Sequence, residues 1–306
     1  MEHVSSIFSG DIIMLTLRLA IPIVLAAVGE TFCERSGVMN LGIEGMMLIG
    51  ALGGVLGSYI TGDPWLGVLF AIIIGAVAGF LYAVLCVKFK ADQVVSGIGV
   101  NMLALGFTTV MIHAIWKRDG MSGTVAQVKN VTVPFIKDIP VIGRLFDNQS
   151  PFLYLTLFIV AAGWYVMYKT KIGLRLRSIG DHPQAAETVG IDVARYRYAC
   201  VTLCGILAGM AGAYLSIVQN NLFVQDMVAG RGFMAIAANI FGGWNPVGSF
   251  IASLVFAFAQ ALRLNLADLN IPDQFIQMLP YVLTLVVLVG VAKKAKGPEA
   301  LGKIED

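Results

Sequence analysis

Glu30 and Glu34 stand four residues apart, Arg35 follows them, and Glu44 lies in the run Val38-Met-Asn-Leu-Gly-Ile-Glu-Gly-Met-Met47. Residues at i and i+4 share one helical face, and the surrounding sequence is apolar enough to enter a membrane. An ionisable group there costs about 2.5 to 3.5 kcal/mol on insertion scales and turns toward the bundle interior, where it meets a partner or a watery path. Asn40, Gly42 and Gly45 weaken regular helix and predict a break, the kind of place where membrane carriers expose backbone groups to a cargo. Asn101, in Gly97-Ile-Gly-Val-Asn-Met102, and Asn239 are further polar groups in apolar surroundings. Asn40, Glu44, Asn101 and Asn239 are therefore the candidate lining of a substrate path. Other readings stay open at this point: Glu34 and Arg35 at the membrane surface, Glu44 in a local cap or pair, and asparagines that cross-link helices by hydrogen bonds.

Other chemistries fail on spacing. Gly297 to Lys303 has the two glycines and the lysine of a phosphate-binding loop, but Ile304 stands where Ser or Thr is needed, and neither the preceding strand nor the following helix is in place. The chain is therefore expected not to hydrolyse ATP itself. His3, His113 and His182 are scattered, and no Ser/His/Asp arrangement is visible. His113 reads as a hydrogen-bonded packing residue. Cys33, Cys86, Cys200 and Cys204 sit in apolar runs and read as small hydrophobes, not as disulfides or metal ligands. The expectation is a chain with no catalytic residue, cofactor or metal of its own.

The elements that must hold these groups are set by composition. Of 306 residues, 58% are hydrophobic and 13% charged, against about 25% charged in an ordinary soluble domain. That excludes a soluble globular enzyme. The net charge of +2, without a basic tract, also excludes a nucleic-acid binder. A bilayer core needs roughly 20 apolar residues per helix. Candidate spans cover 12–33, 37–60, 65–87, 93–116, 151–168, 199–218, 244–264 and 276–292, with a short or re-entrant segment at 231–241. The predicted fold is all-α, one polytopic bundle over 1–306 with about eight or nine spans. No leader is expected, because the N-terminus lacks a basic segment before its apolar run.

Basic residues fix the expected orientation. Arg35, Lys88, Lys90, the loop 169–198 and the tail 293–306 are placed in the cytoplasm, which puts the N-terminus out and the C-terminus in. The loop 117–150 is then extracytoplasmic, although it carries basic residues of its own. Gly53 with Gly57, Gly75 with Gly79, Gly205 with Gly209, and Ala208 with Gly212 have the spacing that lets membrane helices approach closely. Within 169–198, Asp181 suits an N-cap, Pro183 the first turn, Gln184 a capping box and Gly190 the position past the end. A helix of about two turns results, with Ala185, Ala186 and Val189 on one side. It suits docking into a groove on a partner, or else it is a solvated turn.

The run Glu30-Thr-Phe-Cys-Glu-Arg-Ser-Gly-Val-Met-Asn-Leu-Gly-Ile-Glu-Gly-Met-Met-Leu-Ile-Gly-Ala51 resembles permease subunits of bacterial ATP-binding-cassette (ABC) importers. The resemblance is to the nucleoside and simple-sugar branch, related to the branched-chain amino-acid permeases. Gly180-Asp-His-Pro-Gln-Ala-Ala186 with Gly190-Ile191, Gly209-Met-Ala-Gly-Ala-Tyr-Leu215, Gly230-Arg-Gly-Phe-Met-Ala-Ile-Ala237 and Phe241-Gly-Gly-Trp-Asn-Pro246 extend it over nearly the whole chain. The family usually has Glu-Asn before the proline where this chain has Asp181 and His182; Asp keeps a capping side chain. The resemblance implies a type II ABC importer-like permease in the bacterial plasma membrane, with nucleosides as cargo. It further implies a cytoplasmic ATPase, which binds ATP and docks on Gly180, Asp181, Pro183, Gln184, Ala185, Ala186, Glu187 and Gly190. A second, similar but different permease chain and an extracytoplasmic substrate-binding lipoprotein complete the implied assembly. A simple-sugar permease and an ion-gradient-driven secondary transporter are the competing readings. The intramembrane glutamates and His113 favour the second of these; the capped cytoplasmic helix and the run around Asn40 oppose it.

Overall fold

Side-chain caps decide where most helices begin, and glycines decide how closely they pack. The computed structural model describes residues 10–131, 148–266 and 297–303. Gly10–Arg35 forms α1 and Ile43–Thr61 forms α2. The Asp63 carboxylate accepts from Trp65 N at 2.7 Å and Pro64 fills the first turn, which starts α3, Pro64–Ala83. Asp92 accepts from Val95 N at 2.8 Å and starts α4, Gln93–Trp116. Ser150 caps α5, Pro151–Lys169, and Thr170 caps α6, Lys171–Asp181. Pro183–Thr188 is α7. Asp192 caps α8, Val193–Ala213, followed by α9, Arg231–Phe241, and α10, Pro246–Leu266. π-helical segments Val84–Lys88 and Tyr214–Gln219 prolong α3 and α8.

Seven of these helices, all but α6, α7 and α9, are long and apolar enough to cross a bilayer. The chain is a multi-pass membrane protein. The expected eight or nine spans are thus seven among the described residues, and the candidate at 276–292 lies outside them. Two isolated bridges, Met121 with Val224 and Val131 with Gln149, are the strand-like pairings among the described residues. They tie together the loops at the end of the bundle opposite Arg35.

The central column is α8, whose apolar window is 83% buried, whereas that of α4 is only 17% buried. The α8 helix packs on α1, α2 and α3, and α10 packs on α1. Lipid gives helices no hydrophobic reason to associate, so close backbone approach must supply the attraction. A Cβ on Gly209 would strike the backbone of Ala71 and Gly75; one on Gly50 would strike Gly209, and one on Gly212 would strike Met47. The paired glycines 75/79 and 205/209 thus face one another across the α3–α8 seam. By contrast, Gly99 and Gly106 on α4 have open space around them, and Val95, Met102, Leu103 and Val110 of that helix point away from the chain.

The basic segments assigned to one side from sequence gather at one end of the bundle. Gly37 lies against Arg197 and Ala300, Gly180 against Arg35, and the Ala300 amide donates to Gly180 O at 3.0 Å. Residues 297–303 therefore pack on the end of the bundle beside α6. They do not form a free phosphate loop, and Gly297 rests against the Trp244 ring.

Candidate translocation path and coupling helix

The break between α1 and α2 is a buried stretch of irregular backbone, which membranes tolerate only when protein satisfies its polar groups. Gly37, at φ +88°, turns the chain back into the bundle. The Met39 amide donates to Gln93 Oε1 at 2.7 Å, and the Asn40 amide donates to Glu30 Oε1 at 3.1 Å. The Tyr82 hydroxyl lies 2.8 Å from the carbonyls of Met39 and Gln93, so it can donate to either. Asn101 serves the next residues from both ends of its amide: it donates to Leu41 O at 2.8 Å and accepts from Gly45 N at 2.7 Å. Asn40 accepts from Gly42 N at 3.1 Å and reaches Cys204 Sγ at 3.4 Å. Glycine is required where the break meets α4, since a Cβ on Gly97 would come within 2.7 to 2.9 Å of Leu41 and Gly42.

The short helix α9 occupies only part of the bundle's depth. Its first turn meets the start of α2, where Glu44 accepts from Gly230 N at 2.7 Å and Gly232 N at 2.6 Å. A carboxylate there satisfies otherwise orphaned amides and suits the positive end of the helix dipole. At its other end, Asn239 donates to Glu34 Oε2 at 2.9 Å, and its own oxygen lies 2.7 Å from the Thr31 hydroxyl. The Trp244 indole donates to the same Glu34 oxygen. Arg35 then donates to Trp244 O at 3.0 Å and Gly243 O at 3.3 Å. A latch therefore joins the end of α1 to the turn between α9 and α10. Glu34 is fully buried, which corrects the surface reading of that residue.

Of the four candidate path residues, Asn40 and Asn239 are wholly buried in these networks, while Glu44 and Asn101 are half-buried. Asn40, Glu44 and Asn101 hold irregular backbone or a helix terminus, whereas Asn239 joins α9 to the Thr31 and Glu34 side chains of α1. The sequence left cross-linking open for the asparagines and a cap open for Glu44, and the geometry is of those kinds. Gln93, Tyr82, Thr31 and Trp244 were missed, because their partners lie far away in sequence. We expect Glu44→Leu to lower the thermal stability of the detergent-extracted chain by about 1 to 2 kcal/mol, the scale of a lost N-cap. Glu44→Gln, which keeps an acceptor oxygen, should lose less than half of that. Equal midpoints for the Leu variant and the parent would remove the cap from the account.

The coupling segment is shaped differently from its sequence expectation. The α6 helix, started by Thr170, runs on through Asp181, so Asp181 ends one helix and does not cap the next. His182 stands at the α7 N-cap without a side-chain cap bond, and the capping box with Gln184 is not formed. Pro183 occupies the first position of α7, and Gly190 follows the helix at φ +81°. The helix is six residues long, shorter than two full turns. Ala186 packs inward with Ile179 and Val193, whereas Ala185, Glu187 and Val189 are exposed. The three apolar residues therefore do not share one face. Gln184 and Glu187 line a recess of about 220 Å³ with Val38, Gln93 and Arg197. That recess connects α7 to the edge of the break. Gly180 allows α6 to touch Arg35 O, where any Cβ would collide.

A family profile described as the permease component of a branched-chain amino acid transport system matches residues 12–291. Over 303 residues the chain is 38% identical to the guanosine ABC transporter permease protein NupQ of Bacillus subtilis (strain 168), covering 95% of both chains. It is also 38% identical over 292 residues to the nucleoside ABC transporter permease protein NupC of Lactococcus lactis subsp. cremoris (strain MG1363), covering 92% of both. The guanosine ABC transporter permease protein NupP, also of Bacillus subtilis, matches at 25% identity over 280 residues, 89% of this chain and 79% of that one. Among solved structures, PsaBC from Streptococcus pneumoniae in complex with Fab superposes with a TM-score of 0.51 at 15% identity, covering 90% of this chain and 89% of that one.

Proposed function

The chain belongs to the family of branched-chain amino acid transport system permease components, and on that premise we propose that it is the membrane subunit of an ABC importer carrying a purine-riboside-like nucleoside. The observation that carries the cargo is that two relatives, each 38% identical over at least 92% of both chains, bear guanosine and nucleoside permease names. The cargo path is read through Asn40, Glu44, Asn101 and Asn239. The end carrying Arg35, Lys90 and α7 is assigned to the cytoplasm of the bacterial plasma membrane, with the N-terminus outside and residues 117–150 extracytoplasmic. A cytoplasmic ATPase binds the nucleotide and docks on α7 through Gln184, Ala185 and Glu187. A second permease, similar but not identical, completes the pore; two Bacillus subtilis relatives that share one guanosine description support this pairing. An extracytoplasmic lipoprotein delivers the cargo.

The geometry supplies a route from the ATPase to the path. Closure of the ATPase moves α7, which is joined to α6 through His182. Gly180 bears on Arg35 O, and Arg35 holds the carbonyls of Gly243 and Trp244. Displacing α6 therefore acts on the same latch that fixes the lower end of α9. The nucleotide shifts the population because the ATPase dimer prefers one of the two membrane states.

The test is uptake of labelled guanosine by cells that lack their own nucleoside carriers and express the full set of subunits. Uptake should survive collapse of the proton gradient while ATP is maintained, and should stop when ATP is depleted. The reverse pattern would identify a gradient-driven carrier, and competition by a simple sugar but not by nucleosides would reassign the cargo. Glu187→Arg should cut uptake about tenfold or more by spoiling the docking face. Undiminished uptake by that variant would move the docking site elsewhere.

A further inference from the structure

Glu30 is an acid buried in the centre of the bundle with no lysine or arginine among its hydrogen-bond partners in the described residues. Its carboxylate receives the Asn40 amide and the Cys204 thiol, the latter at 3.4 Å. Cys33 stands one turn further along α1, and the ligand atoms of Glu30, Cys33 and Cys204 all lie within 4.8 Å of one another. All three residues are completely buried. The Asn40 carboxamide closes another side of the group, 3.4 Å from Cys204 Sγ. Two sulfurs and a carboxylate oxygen are a soft-to-borderline donor set. A tetrahedral Zn²⁺, with bonds of about 2.0 to 2.3 Å, holds its ligand atoms about 3.5 to 3.8 Å apart. The Cys204–Glu30 pair, 3.4 Å apart, already has that spacing, and the group as a whole, within 4.8 Å, has to draw together to reach it.

We propose that Glu30, Cys33 and Cys204 form a binding site for a thiophilic divalent cation of the Zn²⁺ class. The sequence reading of these cysteines as small hydrophobes treated each run alone; only the α1–α8 contact brings them together with the acid. Both cysteines bind as thiolates and release their protons on loading, so with the Glu30 carboxylate three negative charges face the two of the ion. The nearest recess, lined by Val38, Lys90, Gln93, Arg197 and Lys303, stops two residues short of Asn40, so loading requires the break to open. An ion at this place ties α1, the break and α8 to one point.

The experiment uses the full-length chain purified with its co-purifying subunits and loaded with Cd²⁺, a spectroscopic substitute for Zn²⁺. After removal of free ion, elemental analysis should find one Cd²⁺ per chain, with the ultraviolet charge-transfer band of thiolate–cadmium bonds. The double substitution Cys33→Ser with Cys204→Ser should lose both signals, and Glu30→Gln should weaken retention at least about tenfold. Cys86→Ser, outside the cluster, should keep both. Cys33→Ser alone changes one atom and controls for folding: its thermal midpoint without metal should match the parent, and the Cd²⁺-induced rise should disappear. An unchanged band in the double variant, equal Cd²⁺-induced rises in Cys33→Ser and the parent, or no retained Cd²⁺ in the parent overturns the assignment. These readouts do not depend on transport, so they stand apart from the proposed cargo.

Discussion

Gly209→Val is expected to eliminate the folded chain from detergent extracts of expressing membranes. A side chain at 209 meets the backbone of Ala71 and Gly75 on α3, and the reverse contact from Gly50 on α2 uses the same spot. Three helices would have to separate at the best-buried part of the bundle. Overpacking commonly costs about 1 to 3 kcal/mol where side chains can yield, and backbone cannot yield in that way. The expected loss exceeds about 3 kcal/mol, a large share of the roughly 5 to 15 kcal/mol that holds a typical domain. Gly99→Val is the matched control, because nothing lies within 4 Å of its added carbon. Size-exclusion profiles and thermal midpoints of the two variants decide the matter. A monodisperse Gly209→Val protein with the parent's midpoint would show that the seam is looser than described.

Gly180→Leu should leave the chain inserted and assembled yet abolish nucleoside uptake. The added side chain collides with Arg35 O and lies 3.2 Å from Pro298 at its first carbon. The α6 helix must then move off the end of α1, so motion of α7 no longer reaches the Gly243 and Trp244 carbonyls. Uptake should fall by more than about tenfold, equivalent to at least about 1.4 kcal/mol of lost coupling. Gly180→Ala should give an intermediate defect, since its single carbon already conflicts with the same oxygen. Uptake and co-purification of the ATPase are measured together. Loss of both would mean a folding defect, and retention of both would break the proposed route.

Local composition made much of the architecture legible. Apolar runs of the right length became the seven described spans, and Asn40 and Gly42 marked a break before Ile43, whereas Gly45 lies inside α2. The short α9 was visible as an apolar run too brief to cross. What could not be read was the destination of side chains. Gln93 serves Met39 across 54 residues, and Trp244 reaches Glu34 across 210. Nothing periodic connects such pairs. Asp181 failed as a cap because Thr170 starts a helix that absorbs it, so the competing element upstream decided the boundary.

The break at 36–42 bears on how the protein is made. The backbone of Met39 and Leu41 is satisfied by Gln93, Tyr82 and Asn101, all of which leave the ribosome later than the segment they serve. The nascent first hairpin therefore reaches the bilayer with amides and carbonyls that lipid cannot solvate. It must wait at the insertion machinery, or against water, until α4 is synthesised and threads beside it. Biogenesis of this chain thus cannot proceed hairpin by hairpin: release of the first two spans into lipid is tied to the arrival of the fourth.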